Sequence, residues 1–178
     1  MFSLRNEEEA FFIMKVLKFG GSSVGTPESI LNVKNIVEAT ARPAVVVVSA
    51  LGGVTDQLIA ASRMAAAGDS AYSESVDSLM ERHHKMVNAV VEPRCRPQLL
   101  ENLDHLLTDL RSILHGVFLI QDLTPKTADA IVAYGERLSS LITAALLDNA
   151  CHVDSLDVVC TRVQNGKTLV DFDLTNRR

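Results

Sequence analysis

The stretch VLKFGGSSVGTPES, running from Val16 to Ser29, sets an apolar run, two adjacent glycines, two serines and a helix start in immediate succession. Lys15–Phe19 (KVLKF) is a short β-prone run that Gly20 and Gly21 bring to an end, which predicts a strand. Thr26-Pro27-Glu28 then opens a helix, with Thr as N-cap, Pro in the first position and an acid in the first turn. Ile30, Val33, Ile36 and Val37 give its buried stripe. In the commonest nucleotide loop, G-x-x-x-x-G-K-[ST], the lysine follows the glycines; here Lys18 precedes them. Paired glycines let a backbone approach an anion with no Cβ in the way, and a helix N-terminus behind them adds N–H donors and a positive dipole end. Lys18 alternates with Leu17 across the strand, and a lysine in an apolar strand is costly to bury without an anionic partner. The pattern suggests a backbone phosphate cradle with its cation supplied from the strand end. A plainer reading stands beside it, in which Lys18 snorkels from an edge strand and the glycines only turn the chain.

The same unit follows a second time. After Pro43 comes AVVVVSA, whose four consecutive valines suggest a strand covered on both faces, as in a parallel sheet. Gly52-Gly53 breaks it, and Val54-Thr55-Asp56 leads into a helix with Leu58, Ile59 and Met64 inward and Gly68 as its stop. Strand, glycine loop and helix, repeated, predict a βαβα unit with a right-handed crossover. Both loops then lie at the carboxyl ends of their strands, where open parallel sheets bind ligands. Ser49 and Thr55 bring hydroxyls to the second loop, suited to a carboxylate or a second phosphate, although Thr55 could serve simply as an N-cap.

Residues 70 to 150 are helical. One helix carries Val76, Leu79, Met80, Met86, Val87, Val90 and Val91 and ends near Pro93; the next begins at Pro97 and ends near Gly116. Together they make an αα-hairpin, a helix-rich insertion. A third helix is expected from about Lys126 to Asn149. Within it Gly135 lowers helix stability by roughly 1 kcal/mol against Ala, which points to close approach by a backbone or ligand. Beside it, Glu136 reads either as part of that approach or as half of an exposed Glu–Arg pair. His83 and His84 follow Glu81 without metal-site spacing and read as a solvated helix face. From Cys151 the pieces are short and β-prone, HVDSLDVV and then TRVQ-NG-KTLVDF, with Asn165-Gly166 as a hairpin turn. The last residues read as the approach to another helix.

At 178 residues, 47% hydrophobic and 22% charged, the composition is that of a globular domain with a core. A net charge of −5 gives no support for binding nucleic acid or anionic membrane through bulk electrostatics. No apolar run approaches the roughly 20 residues of a membrane span. Cys95, Cys151 and Cys160 share no C-x-x-C spacing, which suggests reduced thiols and the cytoplasm. Residues 1–13 read as an N-terminal extension, with Met14 starting the ordered pattern.

Three motifs in order now carry a resemblance. Val16-Leu-Lys-Phe-Gly-Gly-Ser-Ser-Val24 resembles the N-terminal signature of the aspartate kinases, in the amino-acid kinase superfamily, with Ser22 where Thr is usual. V-V-S-A-L-G-G-V-T-D resembles that family's second loop, and L-T-P-K-T-A-D-A-I-V-A-Y-G-E-R-L-S-S its helix with the Gly-Glu pair. The tail V-D-F-D-L-T-N-R-R is similar to the lysine- or threonine-regulated branch. The resemblance implies an α/β, three-layer αβα fold with a mainly parallel sheet. It implies transfer of the ATP γ-phosphoryl group to the β-carboxylate of L-aspartate, the first step towards lysine, threonine and methionine. Mg²⁺ would ride on the ATP phosphates, with no protein metal ligand. Lys18 would neutralise the transferring group, Phe19, Gly20, Gly21, Ser22 and Ser23 would form the phosphate loop, Ser49 and Thr55 would hold aspartate, and Glu136 would hold its amino group or orient Lys18. The full-length protein would be a homo-oligomer. The family's later Gly-Arg-Gly-Gly-Ser-Asp stretch, the adenine-binding half and the ACT regulatory domains have no counterpart here. Residues 14–178 are therefore expected to be the first portion of a kinase domain, truncated and with little or no activity alone. The alternatives are a glutamate or carbamate kinase relative and a non-catalytic assembly module using an exposed sheet edge.

Overall fold

The structure, a computed structural model, describes residues 14–40 and 43–178. The N-terminal extension, with its apolar Phe11-Phe12-Ile13, lies outside the described residues. Strand β1 (Lys15–Phe19) is followed by a single turn of helix, α1 (Gly21–Val24), and then by α2 (Pro27–Glu38). Thr26 caps α2 as its sequence predicts: its hydroxyl accepts from Ser29 N, and the Ser29 hydroxyl accepts from Thr26 N, closing a capping box. β2 (Ala44–Val48) pairs with β1 in parallel, Lys15 opposite Ala44 and Phe19 opposite Val48.

Leu17, Phe19, Val46 and Val48 face the core on this small sheet. The other face is open, with Val16 67%, Val45 43% and Val47 45% exposed. The four valines do form a strand, but among the described residues it is covered on one face and not on both. Ile36, placed in the α2 stripe by its spacing, is 51% exposed, while Ile30, Val33 and Val37 are buried. The buried arc of α2 is narrower than the run of apolar residues.

The core lies among the helices that follow: α3 (Val54–Ala66), α4 (Tyr72–Val90), a 3₁₀ turn at Pro93–Cys95, α5 (Arg96–Ile120), α6 (Pro125–Val132) and α7 (Tyr134–Leu146). α4 and α5 form the expected hairpin and pack on α3, and α7 lies against β2 and α5. Leu58, Leu79, Leu103, Leu107, Leu110, Leu114, Leu138 and Ile142 are fully buried between them. Gly68 ends α3 at φ 72. α5 runs past Gly116 and closes at Gln121, whose φ is 55. The single helix expected from Lys126 is two, meeting at Ala133, which closes α6 and stands as the N-cap of α7.

The tail departs from its β-prone reading at HVDSLDVV. Asp154 accepts from Leu156 N and caps one helical turn, α8 (Ser155–Val158). The same carboxylate is held by Arg137 Nε at 2.8 Å, while Ser140 Oγ meets His152 Nε2 at 3.0 Å. These ties hold the segment off β2 across a cavity of about 600 Å³. The hairpin forms as read, β3 (Thr161–Gln164) and β4 (Lys167–Val170) antiparallel, with Asn165 at φ 52 and Gly166 at φ 72. A final helical turn, α9 (Phe172–Thr175), capped by Asp171, ends at Asn176.

Candidate functional site

Parallel pairing in register brings the carboxyl ends of β1 and β2 side by side, and Ser49 N extends the ladder by donating to Phe19 O at 3.0 Å. The two glycine loops therefore leave the sheet together and pack backbone on backbone. A Cβ on Gly21 would lie 3.0 Å from Ala50 O, one on Gly25 3.0 Å from Gly21 O, and one on Gly52 3.2 Å from Gly21 O. Only residues without side chains permit this contact. The first loop is itself coiled: Ser23 N donates to Gly20 O at 2.9 Å, so α1 stands between the glycines and α2. The N-terminus of α2, capped by Thr26 where the sequence places it, lies one turn beyond the paired glycines.

Lys18 projects from the open face of β1, and its Nζ lies 3.8 Å from where a Cβ on Gly20 would sit. The ammonium thus stands over the first bend, and it makes no ion pair among the described residues. Ser22 is exposed and Ser23 half-buried beside it. In the second loop Ser49 is half-buried at the strand end. Thr55 lies inside the first turn of α3 and is not its cap; that position belongs to Gly53, at φ 83.

Glu136 is not an exposed partner of Arg137. Its Oε1 accepts from Ala50 N at 3.3 Å, so α7 grips the second loop by its main chain. Gly135 explains the reach. A Cβ there would fall 2.7 Å from Ala50 Cβ, 3.3 Å from Leu58 Cδ1 and 3.4 Å from Val54 Cγ1. Arg137 instead pairs with Asp154 and lies 4.8 Å over the Tyr134 ring. Burial disfavours both charges of that pair, yet the hydrogen bond between them leaves the Asp154 carboxyl below the usual range and the guanidinium above it.

Two residues of this region carry no sequence motif. Gly25 packs on the second loop, signalled only by its four-residue spacing from Gly21. Arg82, from α4, donates through Nη2 to Gly52 O at 2.6 Å; within the polar run E-R-H-H-K nothing marks it. The histidines that follow it divide. His84 meets Asp104 Oδ1 at 2.6 Å on the half-buried side of α4. His83 is not solvated at all but fully buried, with Nδ1 donating to Leu79 O at 2.7 Å. Among the described residues no group of three or more His, Cys, Asp or Glu is placed to hold a metal ion, and no helix is long and apolar enough to cross a membrane.

A model of the amino acid kinase family matches residues 14–172. A bifunctional aspartokinase/homoserine dehydrogenase of Daucus carota is 30% identical over 160 residues, covering 88% of this chain and 17% of that protein. An aspartokinase of Candida albicans is 29% identical over 155 residues, 81% of this chain and 28% of its own. Among solved structures, E. coli aspartokinase III in complex with aspartate and ADP superposes with a TM-score of 0.79 at 23% identity, over 93% of this chain and 36% of that one. The Clostridium acetobutylicum aspartate kinase gives a TM-score of 0.64 at 21% identity, over 83% and 31%. The fold is that of these kinases, and the chain spans less than a third of the length of the curated relatives named here.

Proposed function

The chain belongs to the amino acid kinase family, and from that premise we propose that residues 14–178 are the first portion of an aspartate kinase domain. The reaction is attack of the ionised β-carboxylate of L-aspartate on the γ-phosphorus of ATP, with cleavage of the bond to the β–γ bridging oxygen and release of ADP. A carboxylate nucleophile is already deprotonated at neutral pH, so no general base is required. Catalysis reduces to positioning and charge neutralisation. Lys18 supplies the cation, and Phe19 to Ser23, with the N–H groups of Gly20 and Gly21, supply the phosphate loop. Ser49 and Thr55 take the aspartate. One Glu136 oxygen holds Ala50 N, leaving the other for the substrate amino group. Mg²⁺ would be carried by the ATP phosphates. The protein would work in the cytoplasm, with the whole kinase a homo-oligomer.

The observation that supports this reading is the contact of the two bare loops under one ammonium, Gly21 against Gly52 with Lys18 above Gly20. It is half a pocket, so phosphoryl transfer by this chain alone should be absent or far below that of a whole kinase. Calorimetric titration with ATP and with L-aspartate, and hydroxylamine trapping of phosphoaspartate, test it together. Binding of ATP that disappears in Lys18→Ala supports the proposal; ATP binding indifferent to that substitution overturns it.

A further inference from the structure

We propose that Arg82 is a positioning residue for the second glycine loop, a role that rests on the kinase reading for its ligand but not for its geometry. The loop from Ser49 to Thr55 is held at two main-chain points by two helices. From α7, Glu136 accepts the Ala50 N–H at 3.3 Å; from α4, Arg82 donates to the Gly52 carbonyl at 2.6 Å. Between these points Leu51 is 1% exposed and anchors the turn, which Val54 N closes onto Leu51 O at 2.9 Å. An acceptor grips one peptide and a donor the other, so the loop is fixed in rotation as well as in place.

The Arg82 contact has the more direct consequence for the site. Fixing the Gly52 carbonyl fixes the peptide that leads into Gly53, whose φ of 83 starts α3. The start of α3 sets where Thr55 stands. A charged donor makes a stronger hydrogen bond than a neutral one. Arg82 has no carboxylate to divert it among the described residues, and the neighbouring Lys85 is engaged by Glu81 at 2.7 Å. The far side of Arg82 opens on a cavity of about 310 Å³ shared with Gly25, Pro27, Ser78 and Lys85, so truncation there leaves a solvent-filled space and not a core void.

The test uses the 178-residue chain labelled with ¹⁵N, as wild type, Arg82→Ala and Arg82→Lys, with circular dichroism confirming that each is folded. Without ligand, Arg82→Ala should shift the amide resonances of Ala50 to Val54 and speed exchange of the Val54 amide by about tenfold, and Arg82→Lys should restore much of both. Titrated with L-aspartate, Arg82→Ala should bind about tenfold more weakly, with ATP affinity little changed, because the phosphate loop keeps Lys18. Unaltered loop resonances and exchange in Arg82→Ala overturn the proposal, as does an equal loss of both ligands. A wild-type chain that binds neither ligand overturns the kinase reading instead, and the ligand-free exchange then decides Arg82 alone.

Discussion

Acid should weaken this fold well above the range in which carboxylates titrate, and His83 is the reason. The ring lies on the core side of α4 with no exposed surface. Its Nδ1–H is spent on Leu79 O, and Nε2 is buried with no partner among the described residues. A proton on Nε2 would put an unpaired cation in the core. Burial, joined by the charges of Arg82 and His84 and only partly opposed by the Leu79 carbonyl, pushes the imidazole down to about 4. Unfolded, the same ring titrates near 6.5. Between those values the unfolded chain binds the extra proton, so stability is complete above pH 6.5 and falls as the pH drops towards 4. Linkage gives a loss, relative to pH 8, of about 2 kcal/mol at pH 5 and about 3 kcal/mol at pH 4, a large part of the roughly 5–15 kcal/mol of a typical domain. The Asp154 carboxyl, held low by Arg137, loses its contribution only below about pH 4 and does not intrude. Urea denaturation followed by circular dichroism at pH 8, 7, 6 and 5 measures the effect, with His83→Leu as the non-titrating control of similar size. The other histidines contribute equally to both proteins and cancel in the difference. If wild type and His83→Leu lose stability in parallel between pH 7 and 5, the reasoning is wrong.

Other substitutions separate crowding from propensity. Gly135→Ala should destabilise by about 1–3 kcal/mol although Ala is the better helix former, because the new methyl meets Ala50 Cβ at 2.7 Å; a raised melting temperature would contradict it. Gly116→Ala, inside α5 with no atom within 4 Å of the added carbon, should stabilise by about 0.5–1 kcal/mol, read as a higher urea midpoint at unchanged slope. Gly21→Ala should cost about 1–3 kcal/mol as its methyl presses on the Ala50 carbonyl at 3.0 Å, and amide shifts in both loops should report the strain.

What could be read in advance is what neighbouring residues decide between themselves. Thr26, Pro27 and Ser29 cap α2 within four positions, and Asn165-Gly166 makes its hairpin with two positive φ angles that both residues tolerate. Faces are a different matter, because which side of an element is covered depends on distant chain. Ile36 fits the α2 stripe and is exposed; Val45 and Val47 look like core and line an open face. His83 shows the opposite error. Val76, Leu79, His83, Met86 and Val87 are one buried row at helical spacing, and the row's period marks position 83 as inward whatever residue stands there. Polarity hid a position that the geometry of α4 had already assigned.

The candidate site divides along the same line. Lys18, Gly20 and Gly21 are close in the chain, and their chemistry could be read from local order alone. Glu136 and Ala50 are 86 positions apart, and Arg82 and Gly52 are 30 apart; no local pattern contains such contacts. Gly135 comes nearest to bridging the gap. A glycine in mid-helix announces that something comes close, without naming it. In the fold that something is Ala50, Val54 and Leu58, the strand end and the first turns of α3. Gly135 and Glu136 thus act as one device: the missing side chain lets α7 settle against the second loop, and only from that distance does the neighbouring carboxylate reach the Ala50 amide.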